Sequence, residues 1–134
     1  MRKGKNKRKH KRVPAQIGVK VLIESPTLSF PPQTKNATII DVGQRGMTLK
    51  VHNVPSEFHN QMEEDCRFVD ITLTFPQTKQ TRTLLGKIVW STCEASASEC
   101  MMGVHFETMS PEHLSSMIGL INHLETQQPP LMST

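Results

Sequence analysis

Along most of the chain, apolar and polar residues alternate with a period of two. In residues 15–23, Ala15, Ile17, Val19, Val21 and Ile23 alternate with Gln16, Gly18 and Lys20, as in a strand that buries one face. Pro26, Pro31 and Pro32 then enforce a loop. Residues 37–42 and 47–51 predict the next two strands, with Met47, Leu49 and Val51 on one face and Thr48 and Lys50 on the other. The segment Gly43-Gln44-Arg45-Gly46 is the turn between them. An acidic stretch around Glu63, Glu64 and Asp65 reads as an exposed connection. Residues 68–75 alternate again, Val69, Ile71, Leu73 and Phe75 against Asp70, Thr72 and Thr74, until Pro76 ends the strand. Residues 81–91 and 100–106 complete a run of about six strands. A lone hairpin cannot bury enough surface, so six short strands imply a small barrel or sandwich.

Near the C-terminus the period changes. Ser110 can cap a helix whose first position is Pro111, and Leu114, Met117, Ile118, Ile121 and Leu124 make an apolar stripe at helical spacing before Pro129 and Pro130.

Composition adds a size and an asymmetry. The chain has 134 residues, 36% hydrophobic and 21% charged, which fits one domain with a sizeable core. The formal net charge of +4 is unevenly spread. Eight of the sixteen Lys and Arg residues lie within residues 1–12, and the remaining eight face twelve acidic groups, leaving that body at −4. A mildly acidic body is not a general nucleic-acid surface, which would spread Lys and Arg over one face. The basic arm therefore needs its own explanation. Cys66, Cys93 and Cys100 are odd in number, without Cys-x-x-Cys spacing and without a preceding signal segment, so neither a disulfide framework nor a metal site is expected and a reducing cytoplasm fits. No apolar run reaches the roughly 20 residues of a transmembrane span, so any membrane contact would be peripheral, through the basic arm.

The chemistry concentrates at two places. The basic run ends Arg8-Lys9-His10-Lys11-Arg12-Val13-Pro14, with two arginines four apart just before the first strand. About thirty residues on, Asp41-Val42-Gly43-Gln44-Arg45-Gly46 places a carboxylate and a glycine turn at a strand end. Together with the later segments Gly86-Lys87-Ile88-Val89-Trp90 and Met102-Gly103-Val104-His105-Phe106, in that order, these features resemble the PilZ family of bacterial cyclic di-GMP receptors. The resemblance covers nearly the whole chain. It implies a mainly β fold: a six-stranded antiparallel barrel over residues 13–126 with a C-terminal helix, a flexible basic arm in residues 1–12 and a disordered tail in residues 127–134.

Cyclic di-GMP carries two phosphodiesters and two guanines, and an arginine fork matches either a phosphate or the O6/N7 edge of guanine. By the resemblance, Arg8 and Arg12 contact phosphate and guanine, Asp41 accepts from guanine N–H groups, and Gly46 lets the backbone turn closely. Gly43 stands where the family's Asp/Asn-x-Ser-x-x-Gly pattern has Ser, so one ligand hydrogen bond is missing unless a backbone N–H or water replaces it. Extended, Arg8 and Arg12 would be roughly 13 Å apart, so the arm must curl to bring both onto one ligand. Trp90 is read two ways, as a stacking platform or as core. The simpler readings are a solvated basic tail, an Asp41 that fixes its own turn, and glycines serving positive φ. His105 lies opposite Val104 and Phe106 in the alternation and is expected at the surface rather than on a metal.

Other classes fit poorly. The sequence holds no nucleophile elbow, paired carboxylates beside a base, or P-loop, so no enzyme is expected. Gly43-Gln44-Arg45-Gly46 matches the GXXG of KH domains as a string, but that loop joins helices and here strands flank it. The function implied is a cytoplasmic cyclic di-GMP receptor that changes its contact with an effector protein. The other reading is a PilZ domain that has lost the nucleotide and acts only as an adaptor. Specific DNA or RNA is disfavoured by the acidic body and the few aromatics.

Overall fold

Alternation dictates the architecture, because every strand has one apolar face to hide and closure hides all six at once. The computed structural model describes residues 12–24, 32–94 and 96–127. Strands β1 (Val13–Glu24), β2 (Gln33–Val42) and β3 (Gly46–His52) form an antiparallel meander, and β4 (Phe68–Thr74), β5 (Thr81–Glu94) and β6 (Glu99–Phe106) form a second. β4 pairs with β1 and β6 with β3, which closes the barrel in the order β1-β2-β3-β6-β5-β4. Closure gives every strand a neighbour on both sides, although β1 meets β4 only over Lys20–Glu24. The six-stranded antiparallel barrel with a C-terminal helix agrees with the expectation from sequence.

The core is one cluster. Val19, Val21, Ile23, Ile39, Leu49, Val69, Ile71, Leu73, Met102 and Val104 point inward and are almost fully buried. Helix α2 (Pro111–Gln127) adds Met117, Leu120 and Ile121 to it. Its start is capped as foreseen: the Ser110 Oγ accepts from the His113 N–H at 3.1 Å. The stripe needs correction, because Ile118 is 37% exposed and Leu120 is buried. Leu120 and Ile121 lie three and four residues from Met117 and so share its face, whereas Ile118 is turned about 100° away.

The structure adds one element the sequence did not predict and overturns one expectation. Glu63 and Glu64 are exposed as expected, but the connection is not featureless: a short 3-10 turn (Ser56–Phe58) leads into α1 (His59–Glu64), which buries His59 and Met62. Six residues are too few for a period to show in sequence. Cys93 and Cys100 are not free. The β5–β6 register sets them directly opposite, with Cα atoms 4.0 Å apart, and they form a disulfide. Counting cysteines could not reveal this, because the pairing depends on strand register. Cys66 stays free and buried. Arg8, residues 1–11 of the arm, Pro26, Pro31 and the tail beyond residue 127 lie outside the described residues.

Candidate functional site

The turn between β2 and β3 is closed by the Gly43 N–H donating to the Gly46 carbonyl at 2.8 Å, and no glycine among the described residues has positive φ. The reason for Gly46 is close approach instead. A Cβ there would collide with the Val104 carbonyl oxygen of β6 and press on the Arg12 guanidinium 3.1 Å away. Arg12, the last residue before β1, thus lies along the turn.

Strict alternation would turn Asp41 inward, because it is two residues from Ile39, which is fully buried. A bulge between Ile39 and Asp41 inserts one extra residue, Ile40, and turns Asp41 outward. There the Asp41 Oδ1 accepts from Arg12 Nη1 at 2.8 Å and from the Thr48 hydroxyl at 3.0 Å. The ion pair is partly buried, with side-chain exposures of 22% and 31%. Asp41 is therefore not the turn's own cap: its bonds reach a neighbouring strand and the residue before β1.

A second bulge, between Ile88 and Trp90, does the same on β5. Ile88 packs against the core, and the extra residue Val89 turns Trp90 outward, where it is 47% exposed. The core reading of Trp90 is therefore wrong. The pyrrole side of its indole lies on Gly103, where any Cβ would collide with Nε1, Cε2 and Cδ1. Gly103 provides the seat.

Register lines these residues up. Asp41 pairs with Thr48, Thr48 with Gly103, and Gly103 with Trp90, so carboxylate, hydroxyl, gap and indole form one row across β2, β3, β6 and β5. Three inter-strand steps make it about 14 Å long. Arg12 adds a cation at the Asp41 end. The row offers a cation and acceptors at one end and an aromatic face at the other, matching a ligand with phosphate and nucleobase. Thr48 and Gly103 were not foreseen as part of it. Thr48 could have been found by counting outward from the turn, since a Val42–Met47 pair makes Asp41 and Thr48 partners.

Comparison with known families decides the kinship: the PilZ domain model matches residues 6–123. The chain belongs to the PilZ domain family. Among solved structures, this PilZ domain is similar to that of YcgR from Escherichia coli, solved with c-di-GMP, at 14% identity and a TM-score of 0.61, covering 90% of this chain and 93% of that one. It is also similar to the Bacillus subtilis inhibitor of motility MotI/DgrA, at 10% identity and a TM-score of 0.59, over 92% of this chain. The Borreliella burgdorferi PlzA protein, solved in complex with c-di-GMP, matches at 12% identity and a TM-score of 0.50, over 90% of this chain. This chain spans only 54% of each of the last two. A comparison with curated protein sequences finds no match. At these identities the solved structures establish the fold. Among the described residues, no helix is long and apolar enough to cross a membrane.

Proposed function

We propose that this PilZ domain is a cyclic di-GMP receptor that converts the level of the second messenger into a change of contact with an effector protein. The observation that carries this is the outward row of Asp41, Thr48, Gly103 and Trp90 with Arg12 at its end, made by two bulges that aim polar and aromatic groups away from the core. The domain's kinship and its likeness to two PilZ structures solved with c-di-GMP support the choice of ligand.

In this reading Arg12 and Arg8 grip phosphate and a guanine edge, and the Arg12–Asp41 pair holds the guanidinium in place beforehand. Asp41 accepts guanine N–H groups, Gly46 allows the close turn, Gly43 lies along the ligand, and Trp90 stacks on a base. Residues 1–12 act as an arm that orders over the barrel of residues 13–126, which changes the surface shown to the effector. Ligand binding rather than catalysis is the activity, and it is assigned to the cytoplasm. The test is titration with cyclic di-GMP, with severely weakened binding expected in Arg8→Ala and Arg12→Ala. Gly43 favours a second reading, in which the domain binds no nucleotide and serves only as an adaptor. Absence of heat with the parent chain would select it.

A further inference from the structure

Away from the row, at the end of the β5–β6 hairpin, a second group of reactive side chains meets. His59, the first residue of α1, offers a ring nitrogen to Cys93 and Cys100, and the three ligand atoms lie within 4.8 Å of one another. The histidine is already oriented: its Nε2 is 2.9 Å from the Val54 carbonyl, which can only accept, so Nε2 donates and Nδ1 is the nitrogen left to ligate. Metal-bound histidines are held in the same way, with the second ring nitrogen donating to a carbonyl. Access is from one side. Cys100 is 1% exposed, whereas Cys93 is half-buried and borders a hollow of about 370 Å³ lined by Lys50, Thr92, Glu94, Glu99 and Met101.

We propose that His59, Cys93 and Cys100 are a site for one thiophilic d10 cation, Zn(II) or Cu(I), available only when the cysteine pair is reduced. Two thiolates and one imidazole suit such ions, and three protein donors leave a position open. Thiolates bound about 2.3 Å from a tetrahedral ion stand about 3.7 Å apart. Rotation about the Cα–Cβ bonds can reach that spacing on facing strands. The disulfide and the metal therefore exclude each other. Opening the pair takes two electrons from a dithiol. One dithiol sulfur attacks Cys93 Sγ, the Cys100 thiolate leaves, and the second dithiol sulfur displaces Cys93, so the dithiol ends as its own disulfide. The cation then displaces two thiol protons to solvent. The site does not rest on nucleotide binding.

The test uses the full chain, reduced and desalted without air. Co(II), which takes zinc sites, should give a thiolate charge-transfer band that saturates at one equivalent, and Zn(II) should abolish it. Competition against a zinc chelator and a copper(I) chelator tells which ion is held more tightly. Cys93→Ser should remove the band, and His59→Gln should weaken binding at least about tenfold. Cys66→Ser and the oxidised parent serve as controls, the first binding as the parent does and the second not at all. A reduced parent without the band would overturn the proposal. So would a band that survives Cys93→Ser, one lost in Cys66→Ser, or equal binding by the oxidised chain. Should His59→Gln fail to fold, Cys93→Ser and the oxidised parent still decide.

Discussion

Arg12 and Asp41 hold each other in a partly exposed pair, and such pairs contribute only about 0.2–1 kcal/mol to stability. Toward a phosphate the same guanidinium would supply charge-assisted bonds of roughly 1.5–3 kcal/mol each. Arg12→Ala should therefore weaken cyclic di-GMP binding at least about tenfold while the melting temperature scarcely moves. A variant that melts much earlier would show the pair to be structural instead. Gly43 permits a sharper test, since positive φ does not require glycine there. Gly43→Ser restores the missing hydroxyl and should tighten binding up to about tenfold, the value of one neutral hydrogen bond. Unchanged affinity would place the turn away from the ligand. Cys66 titrates abnormally: burial, helped by nearby Asp65, pushes its thiol up to about 11. Because the folded value is the raised one, its contribution is complete below about 9 and is lost as pH rises toward about 11. In urea melts, Cys66→Ala should lose less stability than the parent between neutral pH and about 11. Parallel pH dependence would contradict this assignment.

At the scale of elements, two bulges decide which groups face solvent. Each inserts one residue, Ile40 on β2 and Val89 on β5, and each turns the following side chain out of the barrel. This is also where the sequence stops being legible. The strands, the Ser110 cap and the Asp41 turn follow from periodicity and residue chemistry, which act locally. Period-two counting aligns Trp90 with Ile88, inside, and only the bulge corrects it. The facing of Cys93 and Cys100 likewise depends on register between strands, and α1 is too short to leave a pattern. The seat of Trp90 makes a testable unit. Trp90→Ala should reduce affinity by about 1–3 kcal/mol through lost base stacking. Gly103→Ala should also weaken binding, because its Cβ occupies the place of the indole. The double variant should be no worse than Trp90→Ala alone, since both act through one contact. Additive losses in affinity would show that Gly103 acts independently of Trp90.

For the whole molecule, a closed barrel supplies a rigid outer wall, and the proposed ligand would bind on it without entering the core. The core reaches all six strands and α2 as one cluster, so changes on the row should leave folding intact. Affinity and stability can then be varied separately, which a site inside the barrel would not allow. The most direct measurement is calorimetric titration of the full chain with cyclic di-GMP, parent beside Arg12→Ala, at matched folding. A saturable heat in the parent, with one or two ligands per chain and at least about tenfold weaker binding in the variant, is the result expected. No heat from the parent at ligand concentrations on the order of tens of micromolar, or equal affinity in the two chains, would contradict the receptor assignment.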